Sequence, residues 1–200
     1  MSADSRKDWR NKFFFNAHAV NIALSFSSRL KNYLYLPTQK MNHRGKFILG
    51  SLVAVVICLT VGGLSGMVTR EAIPVWYAGL EKPFFTPPNG LFAPVWSTLY
   101  ILMGIAVGGI WSKGNKHPWV KTSLFFFVAQ LAVNALWSLA FFGLKSPLLA
   151  LGIIFVLLIL IVRTIQLFIK IERFMAYLLY PYLAWVIFAS FLNLGIVYLN

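Results

Sequence analysis

Trp76-Tyr-Ala-Gly-Leu-Glu-Lys-Pro-Phe-Phe-Thr-Pro-Pro-Asn-Gly90 runs directly into Leu91-Phe-Ala-Pro-Val-Trp96-Ser-Thr-Leu-Tyr100-Ile-Leu-Met103-Gly104. The first part is a proline-stiffened aromatic segment, and the second opens an apolar run long enough to cross a membrane. The connection from Thr69 to Gly90 holds Pro74, Pro83, Pro87 and Pro88, with Trp76, Tyr77, Phe84 and Phe85 as apolar bulk. Neighbouring helices need only a few linking residues. A connection this long and this aromatic is expected to fold back as a lid over one end of the bundle.

The solvent follows from composition. The 200 residues are 59% hydrophobic and 12% charged, with a mean hydropathy of +0.74. That much apolar surface does not fit inside one water-soluble core of this size. Five apolar runs, Phe47–Val68, Leu91–Trp111, Thr122–Leu144, Pro147–Ile169 and Phe174–Leu199, each reach the roughly 20 residues that a helix needs to cross the hydrocarbon layer. Leu148–Val162 lacks the alternation of a barrel strand. The expected fold is an all-α membrane protein: a five-transmembrane-helix bundle with a long structured loop between helices 1 and 2.

Lys and Arg set the orientation. Nine precede the first span, Lys113, Lys116 and Lys121 fall between the second and third, and Arg163, Lys170 and Arg173 lie near the fourth-to-fifth boundary. The other side has Arg70, Lys82 and Lys145. The N-terminus is therefore expected in the cytoplasm, with Arg163 snorkelling to the basic side. The formal charge of +13 has half its basic residues in one tail, so the expected partner is the lipid bilayer and no nucleic acid is expected.

The chain divides into a basic extension, residues 1–40, and a five-span domain, residues 41–200. Three readings stand for the extension: an interfacial amphipathic helix (Phe13, Ala17, Val20 and Leu24 recur at helical spacing), a targeting segment, or translation assigned upstream of a start at Met41. The last two are favoured. Cys58 is the single cysteine, so no intrachain disulfide forms. Gly62-Gly-Leu-Ser-Gly66 and Gly104-Ile-Ala-Val-Gly108 have the small-residue spacing that lets helix backbones approach, and one of them is expected to support a homodimer.

Asp4, Asp8, Glu71, Glu81 and Glu172 all lie outside the apolar runs or at their edges, as do His18, His43 and His117. Ion pumps need ionisable groups at membrane depth, and haem proteins need an inward axial ligand. Neither class is expected, no obligatory cofactor is implied, and no metal site is expected.

What the spans do offer is aromatic and uncharged polar groups on single helix faces. Trp96, Tyr100 and Met103 share a stripe on the second span. Gln130, Asn134, Trp137 and Phe141 do so on the third, and Tyr182, Trp185, Ala189 and Asn193 on the fifth. Two readings remain for the amides: glue between helices, or handles for a ligand. Trp111 and Trp119, at span ends, read as interfacial belt residues. Pro181 is expected to kink the fifth span and open room beside Tyr182 and Trp185. If the three faces converge, they line a pocket suited to a large, flat, apolar guest.

These residues resemble the translocator protein or tryptophan-rich sensory protein (TspO/MBR) family, formerly the peripheral benzodiazepine receptors. The resemblance rests on Trp76-Tyr77…Leu80-x-Lys82-Pro83…Pro87-Pro88, on Phe92-x-Pro94-Val95-Trp96-x-x-Leu99-Tyr100-x-x-Met103-Gly104, on Gln130-Leu131-x-x-Asn134-x-x-Trp137-Ser138-x-x-Phe141-Phe142, and on Pro181-Tyr182-x-x-Trp185…Phe188-Ala189…Leu192-Asn193. It covers about residues 47–200 and implies a commonly dimeric bundle that binds porphyrins, sterols and other planar hydrophobic molecules under the first loop. It further implies that Trp76 belongs to the site and that Trp96 and Trp185 stack on the macrocycle. In bacterial members the matching tryptophans are linked to a light- and oxygen-dependent breakdown of protoporphyrin. Asn134 would meet a ligand edge and Ala189 would keep the fifth face small. The vertebrate sterol pattern needs a Lys or Arg after its aromatic residue, and Val197-Tyr198-Leu199-Asn200 has none. The expected function is a membrane receptor or sensor for tetrapyrroles, with a slow photo-oxidative activity at most. The alternatives are a true light-driven porphyrin-degrading enzyme or a transporter of porphyrin- or sterol-like molecules.

Overall fold

The computed structural model describes Ser25 and residues 42–114 and 117–200. The readings of the 1–40 extension and the placement of Lys116 lie outside the described residues. Asn42–Asn200 form one compact unit, built from helices with no strand among the described residues.

Helix α1 spans His43–Val75. It starts four residues before its apolar run because the Asn42 side chain accepts from the Gly45 N–H at 2.7 Å, satisfying one orphan donor of the first turn. It also continues past Val68, through Thr69-Arg70-Glu71 to Val75, where the sequence led us to expect loop. Charged residues end a hydropathy run but not the backbone ladder, and Pro74 is tolerated in the last turn. The first connection is thus shortened to Trp76–Leu91, held by 3₁₀ turns at Tyr77–Gly79 and Asn89–Leu91.

Helix α2 (Phe92–Ser112) packs along α1, and at two of its glycines the backbones come into direct contact. A Cβ on Gly104 would overlap the Val55 backbone, and one on Gly108 the backbone of Gly50 and Ser51. Lipid tails are as apolar as Leu, so helices associate in a bilayer by close van der Waals packing, and glycine permits it. The Gly104/Gly108 pair is therefore occupied within the chain and is not a free surface for a second copy.

Helix α3 (Val120–Ser138) widens into a π turn at Leu139–Gly143, where the Leu144 N–H donates to Leu139 O at 2.8 Å. Helix α4 (Pro147–Ile169) follows, with Pro147 at its start, where no N–H is needed. The fifth span is interrupted. A short helix α5 (Arg173–Tyr177) and a turn at Leu178–Leu179 precede α6 (Tyr180–Leu199). Pro181 accordingly sits in the first turn of α6 and does not kink it. The expected free room is absent too, for Tyr182 is fully buried.

Contacts at the two ends fix an up-and-down course. At one end Lys113 pairs with Glu172 at 2.6 Å, Lys170 lies 4.3 Å over the Trp119 ring, and Met175 fills the space beside Gly109. At the other, the first connection packs Pro83 on Gly195 and Phe85 on Phe188. That connection does fold back over the bundle. Ile48, Leu52 and Val56 on α1 and Leu148, Phe155 and Ile159 on α4 point outward as an apolar belt, and Arg163 is exposed beside Gln166. These features make the chain an integral, multi-pass membrane protein.

Candidate functional site

Beneath the first connection lies a cavity of about 530 Å³, within the range of small-molecule sites. Its aromatic wall comes from two helices. Trp96 and Tyr100, one helical turn apart on α2, stack with centroids 5.6 Å apart and planes 30° apart. Trp137 of α3 reaches Trp96 at 6.4 Å. Asn134, a turn before Trp137, puts its amide at the same wall and donates to the Tyr182 hydroxyl at 3.3 Å.

The facing wall is α1, which the sequence reading did not assign to the site. Gly62, Ser65, Gly66, Thr69, Arg70 and Ile73 line it, with Gly63 beside them. A Cβ on Gly62 would overlap the Tyr100 ring, so this glycine seats the aromatic wall against α1. A Cβ on Gly63 or Gly66 would meet nothing within 4 Å. Thr69 and Ser138 share a hydrogen bond at 3.1 Å, and the Ser138 hydroxyl also donates to Ser65 O at 3.4 Å, joining α1 to α3 at the cavity edge. Spacing of 62, 66, 69 and 73 is a helical stripe, and that was the available signal. It was easy to pass over because glycines form no hydrophobic pattern.

The loop closes the end. Tyr77 lines the cavity, is buried, and packs on Phe141 and Phe142 at 6.2 and 5.9 Å. Burial pushes its phenol above the usual value, so it stays neutral. Lys82 donates to the carbonyls of Ala78 and Leu80 and lies 5.0 Å over the Tyr77 ring, tying the turn to itself. Asn89 completes the rim.

Of the residues expected at the site, Trp96, Tyr100, Asn134 and Trp137 face the cavity. The others support it or lie elsewhere. Trp76 meets the edge of Phe141 at 5.5 Å, and Phe141 stacks on Trp137 at 5.8 Å, so both brace the wall from behind. Tyr182 stands behind Trp96, at 6.3 Å. Gln130 is wholly buried, with neither amide atom partnered, and does not reach the cavity. Trp185 packs on Phe92 and Phe188 at 6.1 and 5.5 Å. Ala189 lies in the core, and Asn193 donates to Pro147 O at 2.8 Å, fastening α6 to α4. The fifth-span face therefore does not line the cavity as expected. Trp96 screens it, and α1 takes its place.

The architecture is that of a multi-pass helical membrane protein carrying a ligand-sized, aromatic-walled recess under its first loop. The model of the TspO/MBR family matches residues 54–199, and the chain belongs to that family. It is 42% identical over 153 residues to the tryptophan-rich protein TspO of Archaeoglobus fulgidus, an alignment covering 76% of this chain and 98% of that protein. It is 40% identical over 155 residues to the protein of the same name from Chlorobaculum tepidum, covering 78% and 98%. With the translocator protein of Sus scrofa it shares 38% identity over 119 residues, covering 59% and 70%.

Proposed function

We propose that the cavity binds a planar, largely apolar molecule of the tetrapyrrole class, and that the protein acts as a membrane receptor or sensor for it. One observation carries this reading: the stacked Trp96 and Tyr100, with Trp137, form an aromatic wall of a cavity of about 530 Å³ whose α1 side includes the glycines Gly62, Gly63 and Gly66. Flat rings stack on such a wall, glycines leave room for the opposite face, and Asn134 supplies a hydrogen-bonding edge. The excess of Lys and Arg on one side supports a cytoplasmic N-terminus.

Gly63→Phe and Gly66→Phe test the site, since both glycines line the cavity and a Cβ at either meets no atom within 4 Å. Titration of the detergent-solubilised protein with protoporphyrin, followed by porphyrin absorbance, is expected to saturate for the native chain and to weaken about tenfold or more in both variants at unchanged thermal stability. Native-like binding in both would remove the ligand from this cavity.

The light-dependent reading has one specific support. Trp96 lies against Tyr100, Trp137 and Tyr182, so an oxidisable ring next to the ligand has further oxidisable neighbours. Trp185 does not share that position. A defined open-chain product from illuminated, aerated samples, lost in Trp96→Phe and kept in Trp185→Phe, is its expected signature.

A further inference from the structure

Arg70 is the one charged side chain on the cavity wall among the described residues. Lys113–Glu172 is the ion pair found among them, and Arg70 has no carboxylate or hydrogen-bonding partner there. Glu71 is next to it in sequence but does not line the cavity. The rest of the lining is apolar or neutral. Arg70 is exposed, at the loop end of α1, so its guanidinium is free to meet a guest at the cavity edge, and its planar fork of donors matches a carboxylate or phosphate.

Its height along α1 is informative as well. Gly62, under the Tyr100 ring, and Arg70 are eight residues apart on one helix, so Arg70 stands about 12 Å nearer the loop end, beside Ile73. A guest whose flat body rests on Trp96, Tyr100 and Trp137 places its loop-side periphery within reach of the guanidinium.

We propose that Arg70 is an anion-recognition residue that makes the cavity selective for planar amphiphiles bearing a carboxylate arm over neutral planar molecules of the same shape. This rests on the cavity reading above and adds a substrate class to it: a flat apolar body with an ionised arm on one edge. The apolar wall binds the body, and Arg70 binds the arm and fixes which edge faces the loop. A phospholipid phosphate offers the same charge chemistry, and the experiment separates the two.

Protoporphyrin and its dimethyl ester share one ring system and differ in their ionised arms. Both are titrated against the native chain, Arg70→Gln and Arg70→Lys, in nanodiscs of phosphatidylcholine alone and of phosphatidylcholine mixed with phosphatidylglycerol. The native chain is expected to favour the diacid about tenfold, Arg70→Gln to lose that preference while binding the ester within about twofold of native, and Arg70→Lys to keep part of it. Equal loss of both porphyrins in Arg70→Gln, or a preference that survives it, overturns the assignment. So does a preference abolished by phosphatidylglycerol, which would give Arg70 to the lipid headgroup. If the native chain binds both equally well, the cavity reading stands and the role of Arg70 falls. If it binds neither, the cavity reading falls and takes the role of Arg70 with it.

Discussion

Asn200 and Glu81 hold each other through two hydrogen bonds: the Asn200 side-chain amide donates to Glu81 O at 3.0 Å and its carbonyl accepts from the Glu81 N–H at 3.1 Å. A side chain thus imitates a strand neighbour for one loop residue and anchors the cavity's cover to the end of α6. Each bond is exposed, with a net contribution at the lower end of about 0.5–1.5 kcal/mol. Asn200→Ala is expected to lower stability by about 1 kcal/mol and to speed amide exchange around Glu81 more than in α2. Unchanged exchange there would mean that the aromatic contacts alone hold the cover.

Adjacent glycines on α1 are expected to respond with opposite signs. Gly63→Ala meets open space and gains helix propensity, up to about 1 kcal/mol. Gly62→Ala drives a methyl into the Tyr100 ring, and Gly104→Ala one into the Val55 backbone, each costing about 1–3 kcal/mol. Thermal unfolding in detergent reads all three. A destabilised Gly63→Ala beside a tolerated Gly62→Ala would contradict the packing of α1 on α2.

Gln130 is buried without a partner for either amide atom. An unsatisfied buried amide is a liability of about 1–3 kcal/mol, which an apolar side chain of similar size does not carry. Gln130→Met is expected to be neutral or stabilising and to leave porphyrin affinity within about twofold of native. Tyr182→Phe is expected to do the reverse for stability, since it strips the Asn134 amide of its acceptor at a cost of about 1 kcal/mol or more.

The Lys113–Glu172 pair gives a pH prediction. The Lys113 ammonium, hydrogen-bonded at 2.6 Å, holds the Glu172 carboxyl below its usual 4.5. A carboxyl whose folded-state pKa is depressed contributes stability above its unfolded pKa and loses it as the pH falls through the folded one. The contribution is therefore present at neutral pH and disappears below about 4.5. Both side chains are more than a third exposed, so screening limits it to a few tenths of about 1 kcal/mol. The stability difference between native and Glu172→Gln is expected to shrink as the pH passes below that value, and a gap that widens on acidification would reject the assignment.

Much of this architecture was legible from residue order because the bilayer imposes a simple length rule. The five spans and the folded-back aromatic connection were readable on that basis. The extension of α1 to Val75 was not, since Thr69-Arg70-Glu71 lowers hydropathy without disturbing helical hydrogen bonding. The break at Leu178–Leu179 was equally hidden, because both residues are apolar and only the backbone turns there. Trp96, Tyr100, Asn134 and Trp137 could be placed together because helical period puts them on facing stripes. Trp185 lies off the cavity lining, because a stripe states which residues share a face, not which neighbour that face meets. Here it meets Phe92 and Phe188. The α1 wall was missed because it is marked by atoms it lacks.

That last property governs how the recess can change. Where Gly63 and Gly66 stand, its boundary is bare main chain, and main chain cannot swing aside as a rotamer does. A single added methyl narrows the chamber permanently, and an aromatic group plugs it. At these two positions the free volume of the recess is therefore set by the absence of a side chain, and one substitution suffices to reduce it.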